Sequence, residues 1–141
     1  MTVDQISIFL ENKYGKLHEI LDLLAEENIR ILAATVSDTS EYGILRIIAD
    51  HPKQAYTLLK EKNVSANLSE VIALIGTNDT GSIASAFRYF KEAGITIEYM
   101  YCYSTTKKSV VFLRTNNRDA ARDVIIRKNL GYITEDELVN L

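Results

Sequence analysis

"FLENKYGKL", residues 9–17, and "LIGTNDTGSI", residues 74–83, carry the same device. Each places an Asn three residues before a Gly and an apolar residue two positions after it. Sliding the 141-residue chain along itself by 66 positions lays Gly15 on Gly81. Without a gap, Ile6 then meets Ile72, Asn12 meets Asn78, Ile29 and Ile31 meet Ile95 and Ile97, and Lys62-Asn63 meets Lys128-Asn129. Self-similarity at a fixed shift means one supersecondary unit used more than once. Residues 1–70 are the first predicted unit and residues 71–141 the second.

Within a unit the periodicity changes in order. Ile6, Ile8 and Leu10 alternate with Gln5 and Ser7, a strand pattern. After Gly15, the residues Leu17, Ile20, Leu21 and Leu24 share one helical face, and Ile83, Ala86, Phe87 and Phe90 repeat it. Asn28 and Gly94 stop these helices, because Asn and Gly enter the left-handed conformation at least cost. "IRILAATVSD" and "ITIEYMYCYS" follow as strands, then "ILRIIAD" and "VVFLRTN". A second helix opens at Pro52 in one unit and after Asn116-Asn117 in the other. Asn63 and Asn129 end it, and a last strand follows near residues 64–69 and 130–134. The predicted fold class is α+β: two ferredoxin-like βαββαβ units side by side, each an antiparallel sheet with helices on one face. A unit of about 70 residues is marginal alone. Runs such as Val110-Val111-Phe112-Leu113 call for cover on the second sheet face, which predicts a homodimer.

Composition narrows the function. With 47% apolar and 25% charged residues the chain reads as an ordinary globular protein. Its net charge of -3 gives no footprint for nucleic acid. No stretch reaches the roughly 20 apolar residues of a membrane span. The N-terminus lacks the pattern of a signal peptide, which points to the cytoplasm. Cys102 is the single cysteine, so there is no disulfide framework and no CxxC motif. It reads as a small core residue, His18 and His51 as surface residues, and Glu135-Asp136-Glu137 as a solvated face. No cofactor motif and no catalytic constellation is present. A phosphate-hydrolysing ferredoxin-like enzyme needs an Arg before the first helix, and "ENKYG" and "TNDTG" have none. Tyr99, Tyr101 and Tyr103 alternate on one strand face, to pack or to wall a ligand pocket.

The repeated turn is the remaining candidate. A helix N-terminus presents free N–H donors and the positive end of its dipole. Gly15 and Gly81 admit close approach, Asn12 and Asn78 carry amides, and Glu11 or Asp79 could meet an ammonium group. A small zwitterion suits this chemistry. Helix capping alone also explains these residue types.

Two units of strand, Asn-containing loop, Gly and amphipathic helix, with "ENKYGKL" and "AGITIEYMY", resemble the ACT-domain family over residues 5–134. The resemblance implies a stand-alone, non-enzymatic regulatory protein that binds a small amino acid. It implies units paired through their second strands and a metabolic enzyme as partner. It puts the ligand against the first strand-to-helix loop: Glu11, Asn12, Tyr14, Gly15, Lys16 and Leu17 in one unit. In the other these are Asn78, Asp79, Thr80, Gly81, Ser82 and Ile83, with Arg30 or Thr96 contributed by a facing strand start. The family loop often carries Pro before the Gly, where this chain has Tyr14 and Thr80. A ligand-free assembly module that dimerises or docks on an enzyme is the alternative.

Overall fold

The computed structural model describes residues 1–11, 15–38, 42–77, 79 and 81–141. They divide into two compact units, one of Asp4–Glu70 and the other of Val71–Leu141 with Met1–Val3. Both are ferredoxin-like.

The first unit holds β1 (Thr2–Glu11, from Asp4 on), α1 (Lys16–Glu26), β2 (Ile31–Asp38), β3 (Tyr42–Ala49), α2 (Pro52–Glu61) and the first part of β4 (Ala66–Thr77). Its strands lie in the order β2-β3-β1-β4, with β3 antiparallel to both neighbours. The alternation in β1 buries Ile6, Ile8 and Leu10 under the helices, where they meet Ile20 and Leu24 of α1 and Ala55 and Leu59 of α2. Each fully buried Leu or Ile contributes about 1.5–3 kcal/mol, so this face is what holds two short helices on the sheet. Leu17, expected on the same face, is 36% exposed.

The second unit holds the rest of β4, α3 (Ser82–Glu92), β5 (Ile97–Ser104), β6 (Lys108–Thr115), α4 (Arg118–Arg127) and α5 (Glu135–Val139). Here β6 is antiparallel to β4 and β5. Phe90 of α3 and Ala121, Val124 and Ile125 of α4 cover Ile72, Leu74, Val111 and Leu113.

All four long helices stop in the same way. Asn28, Asn63, Gly94 and Asn129 have φ of 57°, 59°, 73° and 52°. The next residue then donates its N–H five residues back along the chain: Ile29 to Leu24, Val64 to Leu59, Ile95 to Phe90 and Leu130 to Ile125, at 2.9–3.0 Å. This is the Schellman arrangement, with its apolar contact between the bonded residues.

Three local readings change. The strand expected to end the first unit and the one expected to start the second are a single 12-residue strand, β4. Val71–Leu74 are buried on both faces, and neither Gly nor Pro separates the two halves, so nothing stops the extended chain. The last strand of the second unit shrinks to one bridge, Leu74 to Tyr132, flanked by bonds from Ile75 N–H to Gly131 O and from Ile133 N–H to Ala73 O. Met1 O accepts from the Ala73 N–H beside it. Glu135-Asp136-Glu137 is the first turn of α5. Thr134 and Glu137 form its capping box, each side chain accepting from the other's N–H.

The second sheet face of this unit is buried at Val71, Ala73, Val110 and Phe112. Tyr101 and Tyr103 lie on that face, their rings 5.3 and 6.4 Å from Phe112. Ladder parity places Ile133 there beside Ala73, and α5 follows with Leu138 buried. Cys102 pairs with Val111 on an edge strand and is exposed, not core.

Gly131 is fixed by close approach. A Cβ there would sit 2.2 Å from Ile75 O. Gly131→Ala should therefore destabilise the protein by about 1–3 kcal/mol, the usual cost of overpacking, read as a lower urea midpoint.

Candidate functional site

The first loop runs out of β1 and enters α1 at Gly15; the second runs out of β4 and enters α3 at Gly81. Asn12, Tyr14, Asn78 and Thr80 lie outside the described residues. The two glycines differ. Gly15 has φ 85°, a left-handed conformation that strains any side chain, although a Cβ there would touch nothing within 4 Å. Gly81 has φ -108°, which any residue adopts, and its Cβ would lie 3.9 Å from Asp79 Oδ1.

Asp79 has its partners within the loop. Its Oδ1 accepts the Gly81 N–H at 3.0 Å, and Oδ2 accepts the Thr77 hydroxyl in a short bond. The Thr77 hydroxyl first, then the Gly81 and Ser82 N–H groups, hold its carboxyl below the ordinary 3.8. The carboxylate thus stands at the start of α3, the place the sequence gives to a ligand's own carboxylate.

Beside each loop lies a pocket. In the second unit it has a volume of about 230 Å³. The end of β4 (Thr77), the first turns of α3 (Ser82, Ile83, Ala86, Phe87), β6 (Ser109, Val111) and the turn after α4 (residues 129–131) enclose it. In the first unit a pocket of about 220 Å³ is lined by Phe9, Glu11, Lys16, Asn63, Val64 and Ser65. Shifted by 66, these are Ile75, Thr77, Ser82, Asn129, Leu130 and Gly131, all walls of the second pocket. The site is duplicated with the unit. Its chemistry is not: Glu11 and Lys16 become Thr77 and Ser82.

Of the expected residues, Glu11 and Lys16 share the first pocket, and Ser82 and Ile83 the second. Within their own units Arg30 and Thr96 line neither pocket. Ladder registers put Ile31 opposite Ala49 and Glu11 opposite Tyr42, at the two ends of β3. Within a unit, that separates Arg30 from the loop by roughly 20 Å. The same holds for Thr96, beside Ile97 opposite Thr115, while Thr77 is opposite Lys108. Both are braced alike: Arg30 N–H donates to Asp50 Oδ1 at 2.9 Å and Thr96 N–H to Asn116 Oδ1 at 3.0 Å. Burial raises the Asp50 carboxyl, and the bonds from Arg30 and His51 outweigh it, leaving it low. The sequence reading missed the helix-stop turns, residues 63–65 and 129–131, as pocket walls. The match of Lys62-Asn63 with Lys128-Asn129 was the signal for them.

Two ferredoxin-like units, each with a pocket beside its first strand-to-helix loop, define a tandem ferredoxin-like module. The chain belongs to the ACT domain pair family, whose model matches residues 1–141. It is similar to the solved structure of protein BT0572 from Bacteroides thetaiotaomicron, with 33% identity, a TM-score of 0.94, and 100% of this chain and 98% of that one covered. The regulatory subunit of aspartate kinase from Thermus thermophilus, in a ligand-free form, shares the fold at 17% identity and TM-score 0.60, over 88% of this chain and 91% of that one. The aspartokinase alpha and beta subunits do so at 19% identity and TM-score 0.58, over 88% and 90%. No curated protein matches the chain.

Because the folded state lowers the Asp79 carboxyl, the unfolded chain binds more protons near pH 3.8. The stability from this group is present above that value and is lost as pH falls through the lower folded one. Asp79→Asn should therefore lose less stability than the unaltered protein between about pH 5 and about pH 3, measured as urea midpoints. Equal losses would show that the carboxylate adds nothing to the folded loop.

Proposed function

We propose that this ACT domain pair is a non-catalytic regulatory protein that binds a small amino acid beside the first strand-to-helix loop of its units. We further propose that it acts as a homodimer on a metabolic enzyme. The observation that supports the reading is the second-unit pocket. It combines apolar walls at Ile83, Ala86 and Val111 with polar ones at Thr77, Ser82 and Ser109. Apolar area with a few placed polar groups is the usual make-up of a small-ligand site.

One observation favours the assembly reading as well. The order of strands leaves β2 at the edge of the first unit and β5 at the edge of the second. Val36 on β2 and Met100 on β5 are 49% and 37% exposed. Unpaired edges with exposed apolar residues are templates for pairing with another chain.

Two measurements follow. A thermal-shift screen of the common amino acids should raise the melting temperature for at least one, since a ligand at 100 times its dissociation constant adds about 2.7 kcal/mol. No shift with any of them leaves the assembly reading. Sedimentation at micromolar concentration should show a species of twice 15.9 kDa, and Val36→Glu with Met100→Glu should reduce it. A chain sedimenting as a 15.9 kDa species would remove the dimer.

A further inference from the structure

The two pockets have nearly the same volume and different floors, and the 66-residue shift shows how. Position 20 of the first unit is Ile, 1% exposed in the core; its counterpart in the second is Ala86, a pocket wall. Leu45, 1% exposed, becomes Val111, also a wall. Both changes remove carbon next to the loop. One helical turn deeper the change is reversed: Leu24 becomes Phe90, and both are fully buried. At Ala86 and Val111 the second unit has therefore given up apolar volume, while Phe87 in place of Leu21 adds a ring to the wall, and the space reaches the core residues Leu74 and Val111. The first-unit pocket keeps to the surface among its described walls, with the charged Glu11 and Lys16.

From this we infer that the second-unit pocket receives the apolar side chain of an amino acid of valine-to-leucine type, and that the first-unit pocket does not. The inference rests on the amino-acid reading above and names the ligand class within it. Ile83, Ala86, Phe87, Val111, Leu74 and Leu130 surround the space with hydrocarbon. At about 230 Å³ it exceeds the roughly 150 Å³ apolar cavity that accepts benzene. No acidic or basic side chain is among its described walls, so a charged ligand side chain would lose water there without a partner. Thr77, Ser82 and Ser109 also line the space, the Thr77 hydroxyl held by Asp79 and the Ser109 hydroxyl by Ser104.

The test is calorimetry on the full chain with glycine, alanine, valine, leucine, aspartate and lysine. Affinity should rise by about fourfold for each carbon added from alanine to leucine, and aspartate and lysine should bind more weakly than valine. Ala86→Ile restores the first unit's residue and fills the space. It should weaken leucine binding at least tenfold and glycine binding far less, with the urea midpoint kept. Val111→Leu fills the same space from the sheet side and should do the same if Ala86→Ile does not fold. Leucine binding no tighter than glycine, or full leucine affinity in a folded filled variant, overturns the inference. Binding of aspartate or lysine alone overturns it and leaves an amino-acid sensor. No binding of any amino acid overturns both.

Discussion

Everything in either unit depends on how its helices end. Each of the four long helices must hand the chain to an extended segment that runs back along the sheet, across four residues, without exposing apolar surface. A left-handed residue makes that reversal, and the N–H that follows it closes the last carbonyls of the helix. The structure does this with Asn three times and Gly once. The same turn then builds the site. Leu130 donates to Ile125 to end α4, and its neighbourhood, residues 129–131, forms one side of the second pocket. Asn63 and Val64 do the same after α2. The pocket is thus a by-product of stopping a helix beside the mouth of another, which is why duplicating the unit duplicates it.

Duplication has kept backbone roles and let side-chain chemistry drift. Asp50 and Asn116 accept the same N–H from equivalent positions, one with a charge and one without. Gly15 needs its left-handed φ and Gly81 does not. What is held constant is the geometry of the strand-to-helix connection. What varies is what that connection presents to solvent.

Much of this was legible from residues. Alternation in Ile6, Ile8 and Leu10, the helical face of Ile20 and Leu24, and the stops at Asn28, Asn63, Gly94 and Asn129 are local signals with local causes, and each appears where expected. The run from Ala66 to Thr77 was not legible as one strand, because continuity there is the absence of a breaker. The short helix at Glu135–Val139 had a signal, Thr134 three residues before Glu137, which the surrounding acidic residues masked. Arg30 and Thr96 entered through family likeness alone, and sheet register decides their place. The pocket was the hardest. It depends on side-chain volume that is missing at Ala86, and a missing group has no periodicity of its own.

That missing volume is informative because it has a cost. Replacing a buried Ile by Ala forfeits about 2–5 kcal/mol when the space stays empty. Cores tolerate drift by trading volume between neighbours in contact. Ala86 and Phe90 stand one turn apart on the same face of α3, as Ile20 and Leu24 do on α1, so the trade is visible in one helix. A trade made only for packing would return the carbon to the place it left. Here Phe90 restores bulk at the core end while the loop end stays open between Ala86, Val111 and the helix-stop turn. The first unit, with Ile20 in the core, has a pocket of nearly equal volume lined instead by Phe9, Glu11, Lys16 and the helix-stop turn. An open space at one end of a helix, compensated at the next turn, is what a ligand side chain would stabilise and what packing alone would fill.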